Sequence, residues 1–207
     1  MKLGDIADIK MGLVLSRKKA ETEYEIKQEY KLISLKNIEA DGMPNDIPLE
    51  LFASYEDLDD QYFTQEGDIL MRLSHPNTAV YIDKEWTNLL VPSYFAIIRL
   101  YKDKGFNPEY VSWYLNSDTI RRELIRVQTG TAIFTTNKNT IASLYIKKIP
   151  IKTQEAIVEV QRLHWKERQL LNKLIDEKEK LYRGITDKLI NVSEEDFDGE
   201  KSYTRED

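Results

Sequence analysis

Lys147-Lys148-Ile149-Pro150-Ile151-Lys152-Thr153-Gln154-Glu155-Ala156-Ile157 is the stretch at which the hydrophobic period of this chain changes. Beyond it, from Thr153 to about Ile190, there is no proline, and only Gly184 interrupts. Ile157, Val160, His164, Leu171, Leu174, Lys178, Leu181 and Ile185 recur at steps of three, four and seven residues, close to a heptad seam. Such a helix would be roughly 55 Å long at ~1.5 Å per residue, more than the domain before it can cover. It is expected to project and take a partner helix, with Ile157, Val160, His164, Leu171, Leu174, Leu181 and Ile185 as dimerisation residues. Residues 191–207 carry seven acids against Lys201 and Arg205 and few large apolar groups, so a disordered acidic tail is expected there.

Upstream of the switch the chain reads as short strands and loops. Tyr30–Leu35, Gly67–Leu73, Ala79–Asp83 and Val91–Leu100 are strand-like runs bounded by turn residues, and Ser143–Pro150 is a last strand that closes the domain. Asn107-Pro108-Glu109 opens a helix, with a capping asparagine, a proline at the first helical position and an acid at the positive end of the dipole. Apolar residues follow at Val111, Leu115, Ile120, Leu124 and Val127, with a break at Ser117-Asp118. The polar run Thr129–Lys138 cannot continue that helix. The fold class is α+β: a domain over 1–152, a long coiled-coil-like helix over 153–190, and the tail 191–207.

Composition excludes several chemistries. The 207 residues contain no cysteine, which removes disulfides, thiolate nucleophiles and Cys-ligated metals. His75 and His164 are the two histidines, too few for a His-based metal cluster. No run approaches the ~20 apolar residues of a membrane span, and Met1–Asp5 lacks the apolar core of a secretory signal, so a soluble cytoplasmic chain is expected. No two-glycine fingerprint, P-loop, His-Glu-x-x-His or Gly-x-Ser-x-Gly occurs. Asn107-Pro108-Glu109-Tyr110 is slightly similar to the Asn-Pro-Pro-Tyr of amino-methyltransferases, but Glu109 replaces the second proline and no cofactor loop precedes it. The acid pairs Glu56-Asp57 and Asp59-Asp60 could hold a metal in principle, but with Tyr55, Leu58 and Tyr62 beside them they read as a solvated turn or short helix. No catalytic residue, metal or cofactor is expected.

The formal charge of −6 hides its distribution. Residues 1–118 hold 13 basic and 21 acidic side chains, whereas 119–152 hold seven basic ones against Glu123 alone. That basic stretch joins helix arginines, a Thr/Asn-rich loop and a Lys-Lys pair. Cations of this kind anchor phosphates, and Thr, Asn and Lys in a loop can reach base edges. A solvated helix face and an ordinary loop account for the same residues equally well. Arg17-Lys18-Lys19 is a second basic cluster with the same two readings.

The order of motifs tips the balance. Leu3-Gly4-Asp5-Ile6 with Gly12, Tyr30-Lys31-Leu32-Ile33, Gly67-Asp68-Ile69-Leu70, and Asn107-Pro108-Glu109-Tyr110-Val111-Ser112-Trp113-Tyr114-Leu115-Asn116-Ser117 come first. Gly130, then Ile141 to Pro150, and Thr153-Gln154-Glu155-Ala156-Ile157 follow. Across roughly residues 1–190 this resembles one target-recognition domain and its following helix from the specificity (S) subunits of type I restriction–modification systems. The chain departs from the pattern at Lys152-Thr153, where a second proline is usual, and in carrying one domain and one helix instead of two of each.

The resemblance implies a DNA-methylase-specificity-like fold and a non-catalytic module that reads half of a bipartite double-stranded DNA site in the major groove. Its helix would be spacer and dimerisation ruler, with modification methyltransferase subunits and a restriction subunit docked around it. A single copy implies a half-subunit that pairs with itself as a homodimer. The DNA-binding residues expected on this basis are Arg17, Lys18, Lys19, Arg72, Ser74, His75, Thr131, Thr135, Thr136, Asn137 and Lys138, with Arg72 suited to guanine and Asn137 to adenine. The competing reading is a specificity-like interaction fragment that pairs through its helix without reading DNA. A stand-alone methyltransferase or nuclease is opposed by the missing cofactor loop and the missing acidic-lysine cluster.

Overall fold

The structure, a computed structural model, describes residues 1–128 and 136–200. It divides into two units, Met1–Val158 and Glu159–Asp207. The first is organised by four antiparallel strands. These are β1 (Ala7–Met11), β4 (Asp68–Arg72), β5 (Ala79–Tyr81) and β6 (Phe95–Leu100), in the order β1-β6-β4-β5. One face, with Ile9, Ile69, Met71, Ala96 and Ile98, packs against α1 (Pro108–Leu115), α2 (Asp118–Gln128) and α3 (Lys138–Ser143) through Tyr110, Val111, Leu115, Ile120, Leu124 and Ile141. The other face, with Leu70, Val80, Phe95 and Ile97, packs against Ile33, Ile82, Leu89 and Val91. Both faces are covered, so β4 is buried from Asp68 to Met71 and β6 from Phe95 to Ile98. That is why these strands read as continuous apolar runs without alternation. A second sheet pairs β2 (Gln28–Leu32) with β3 (Glu50–Ser54), and Leu32 and Phe52 join Leu13, Phe63 and Leu90 in a third cluster.

Polar groups hold the register. Asp68 on β4 faces Arg99 on β6, and Arg99 donates from Nε and Nη2 to the two carboxylate oxygens at 2.7 and 2.8 Å. The Asp68 side chain is 1% exposed, and its Oδ2 also accepts from the backbone N–H of Gln65. The hydrogen bond to Asp68 raises the Arg99 pKa further, against the lowering effect of burial. Asn116, just past α1, acts as a surrogate strand for the edge strand β5. It accepts from the Ala79 N–H at 2.9 Å and donates to the Ala79 carbonyl at 2.7 Å. Gly12 is required sterically, because a Cβ there would collide with the Pro92 carbonyl.

The helices start where the sequence predicts. Asn107 caps α1 by accepting from the N–H groups of Glu109 and Tyr110, and Pro108 occupies the first helical position. The long helix α4 spans Ile151–Glu200. Gln154 in its first turn is fully buried, accepts from the Asn107 N–H, and donates to the carbonyls of Gly105 and Ile149. This glutamine ties the first turn of α4 to the α1 cap.

Several elements differ from the sequence expectation. Ser143–Pro150 is not a strand. Its alternation is real, with Leu144 and Ile146 buried and Tyr145 exposed. It pairs only with the short segment Met1–Leu3, through a single bridge at Lys2 and Tyr145. Val91–Tyr94 precedes β6 as irregular chain that binds Leu13 and Tyr62. The strands β1 and β3 fall outside the runs that the sequence marks as strands. The helix α4 begins two residues before Thr153 and its span, Ile151–Glu200, passes Ile190. Residues 201–207 lie outside the described residues.

In the second unit, α4 carries a row of exposed apolar side chains. Val160, Leu171, Leu174, Leu181 and Ile185 are all more than half exposed, and so are Leu163, Leu170, Ile175, Tyr182 and Leu189. Their steps keep them on one broad face of the helix. His164 is exposed on this face, within 4.0 Å of Glu167. Ile157 differs from the rest of the expected seam, because it packs against the core of the first unit.

Replacing Asp68 by alanine leaves the Arg99 guanidinium without its partner. Arg99 stays about one-third open to water, so the expected loss is about 2–3 kcal/mol, below that of a fully buried pair. Urea denaturation of Asp68→Ala beside the parent measures it, and an unchanged midpoint would show that the pair does not hold the sheet.

Candidate nucleic-acid interface

The register of the sheet places several loops at one end. Met11 pairs with Ala96, Arg72 with Phe95, and Met71 with Ala79. The chain therefore leaves β1 and β4, and enters β5 and β6, on the same side. The segments emerging there are Gly12–Lys19, Leu73–Thr78 and the approach to β6. Thr136 joins them, with its N–H donating to the Leu73 carbonyl at 2.7 Å. Leu73 and Asn77 are thus joined to Thr136, with Asn137 and Lys138 following it in the chain.

Within this group the roles divide. Arg72 donates from Nε to Ser74 Oγ at 2.9 Å, which orients the guanidinium and leaves its two terminal nitrogens. His75 and Lys138 are exposed. Thr136 is 4% exposed, and its hydroxyl accepts from Asn77 Nδ2 at 3.3 Å, so this threonine closes the loop and does not present itself to a base. Asn137 is the N-cap of α3, with Oδ1 accepting from the Thr140 N–H at 3.0 Å. The carbonyl expected to read adenine thus also serves as a helix cap. Thr131 and Thr135 lie outside the described residues.

Asn77 organises the corner and was missed from the sequence. It is buried, has φ of +57°, and donates to the carbonyls of Arg72 and Leu73 as well as to Thr136. The signal was present in His75-Pro76-Asn77-Thr78, because asparagine tolerates the left-handed region and bonds nearby backbone.

The cluster Arg17-Lys18-Lys19 is partly neutralised. Lys18 is ion-paired with Glu56, and this hydrogen bond raises its pKa. Next to it Lys27 pairs with Asp57 at 2.6 Å, and the Tyr55 hydroxyl donates to the Arg17 carbonyl at 2.8 Å. The acids read as a solvated turn therefore offset Lys18, which is a poor phosphate ligand in this arrangement. Arg17 and Lys19 remain exposed.

The basic stretch 119–152 is not one patch. Lys138 opens α3, two residues after Thr136, which bonds the Leu73 carbonyl. Lys147, Lys148 and Lys152 lie beyond the far end of α3, where Leu144–Ile146 bonds Met1–Leu3 ahead of β1. Arg122 and Arg126 are exposed on α2, whose chain continues through 129–135 to Thr136. Among the described residues no group of three or more His, Asp or Glu side chains could hold a metal, and no helix is long and apolar enough to cross a membrane.

No protein-family model and no curated protein matches this sequence. Solved structures do match. A chain from a study of complex assembly and conformational transition of the type I R-M system superposes with a TM-score of 0.63 at 13% identity. The HsdS subunit of Thermoanaerobacter tengcongensis superposes at 0.59 and 16% identity. The fold is that of a type I restriction–modification S subunit. The likeness covers 82% of this chain in both cases, and the chain spans 43% of the length of each of those proteins.

If Asn137 is a cap, Asn137→Ala should cost about 1 kcal/mol of stability, and Asn137→Asp, which keeps the accepting oxygen, should restore most of it. Thermal unfolding of the two variants decides this. Equal stability of Asn137→Ala and the parent would remove the capping role.

Proposed function

We propose that this chain is a non-catalytic DNA-recognition element of a type I restriction–modification assembly. The observation that supports the proposal is that the turn after β4, with Arg72, Ser74 and His75, is bonded to Thr136 at one end of the sheet of an S-subunit fold. In this reading Arg72, held by Ser74, addresses guanine or a phosphate, and Lys138, Arg17 and Lys19 hold phosphates. Ser74 and His75 lie close enough to that group to add hydrogen bonds. Thr136 and Asn137 contribute by shaping the loop, and Lys18 contributes little because Glu56 offsets it.

The reaction chemistry belongs to partners. Modification methyltransferase subunits would bind around α4 and carry the methyl transfer, with a restriction subunit joining them. The chain itself would need no cofactor and would work in the cytoplasm. Two copies paired through the apolar face of α4 would read a site with twofold symmetry, as paired readers do. The overall charge of −6 opposes DNA, so tight binding is assigned to the assembly and weak binding to the isolated chain.

Fluorescence anisotropy with duplex DNA and the cognate methyltransferase subunits tests the recognition role. Lys138→Ala should weaken binding uniformly across sequences and lower the slope of log affinity against log salt by about 1. Arg72→Ala should also relax base preference at one position. Binding by both variants equal to the parent would overturn the recognition role and favour the interaction fragment. For pairing, light scattering at micromolar concentration should give twice the chain mass, and Leu174→Glu should return the monomer. A monomeric parent chain would refute the homodimer.

A further inference from the structure

One cavity beside the Arg72 corner is not explained by contact with a DNA groove. It has a volume of about 290 Å³, and Leu35, Ile38, Glu39, Arg72, Pro76 and Phe95 are among its lining residues. Two opposite charges, Arg72 and Glu39, border this one space. Among the described residues neither forms an ion pair, with the other or with any third residue. Each is oriented by a neutral neighbour instead. Ser74 Oγ accepts from Arg72 Nε, and Asn45 Nδ2 donates to Glu39 Oε1 at 2.9 Å. The wall carrying Glu39 is firm, because its turn closes through Glu39 N–H to the Met43 carbonyl and Gly42 N–H to the Glu39 carbonyl. Gly42, at φ of +88°, lies directly against the Ala79 carbonyl of β5.

The chemistry of the lining selects a class of ligand. A carboxylate at the rim disfavours a phosphate or any other anion. Apolar walls beside a guanidinium favour a flat, polar-edged ring. The two terminal nitrogens of Arg72 can donate to an adjacent acceptor pair, and the Glu39 carboxylate can accept from an adjacent donor pair. Guanine presents both pairs, with O6 and N7 as acceptors and N1–H and N2–H₂ as donors.

We propose that this cavity is a guanine-base site, in which Arg72 binds the O6/N7 edge and Glu39 binds the N1–H/N2–H₂ edge. The base can arrive on a free nucleotide or unpaired on a DNA strand. The second source rests on the DNA-recognition reading, and the first is independent of it. The proposal narrows that reading to its guanine alternative, because Glu39 disfavours a phosphate at Arg72.

Amide NMR of the full chain titrated with guanosine monophosphate, and separately with adenosine monophosphate, tests the site. Guanosine monophosphate should shift resonances within 35–40 and 72–78, and adenosine monophosphate should bind at least about tenfold more weakly. Glu39→Gln should remove most of that preference, and Ile38→Trp, which fills the cavity, should abolish the shifts. Absence of shifts in those segments, or equal binding of the two nucleotides, overturns the proposal. A duplex with one unpaired guanine then separates the sources. Displacement of the nucleotide by this duplex, and not by a fully paired one, assigns the site to a DNA-borne base. Base-selective binding without displacement assigns it to a free nucleotide. Loss of all DNA binding with guanine selectivity intact removes the recognition reading and leaves the pocket standing. Firm DNA binding with no guanine shifts removes the pocket alone.

Discussion

The ion pair between Asp68 and Arg99 is the constraint on which the rest of the first unit depends. A carboxylate that is 1% exposed has given up nearly all its water, and only the two-pronged guanidinium and the Gln65 N–H offset that cost. The pair joins the two central strands at one position of their register. A slip by one residue would strand the charge. With β4 and β6 locked, β1 and β5 have defined edges to join, and the helices and the β2–β3 sheet have two faces to cover.

That lock also fixes the end of the sheet where β4 runs into the Leu73–Thr78 turn. Because β4 cannot slide, Arg72 is held at its mouth beside Ser74, and Asn77 can reach the carbonyls of Arg72 and Leu73. Thr136 then returns to this corner by a backbone hydrogen bond. The half-buried Arg72 and the exposed His75 and Lys138 are neighbours in the chain of two buried residues, Asn77 and Thr136. The site is a rigid corner with a few exposed cations, and its electrostatics are tempered by acids next to Arg17–Lys19.

Much of this was legible in the sequence where local rules suffice. The Asn107-Pro108-Glu109 cap, the break after Leu115 and the change of period near Pro150 each act over a few residues, and each appears in the fold. Local patterning misled where partners were distant. Leu144 and Ile146 alternate like a strand, but nothing long enough lies beside them to pair with. Asn137 and Thr136 looked like base readers by type, and their tertiary neighbours also make them a cap and a buried latch. Lys18 looked free until Glu56, 38 residues away, met it.

The sequence alone determined the α+β class, the helix starts and the order of motifs that resembles an S subunit, because capping, periodicity and turn chemistry are encoded within a few residues of each other. It also determined that α4 would present an apolar stripe, since a helix fixes which residues share its face. Only the tertiary structure decided which cations are available. Charge in a sequence is a list, and its effect depends on which acid stands within a few ångströms and how much water lies between. By the same reasoning only the fold could bring Glu39 and Arg72 to one cavity without letting them pair, since their 33-residue separation says nothing about the distance between them.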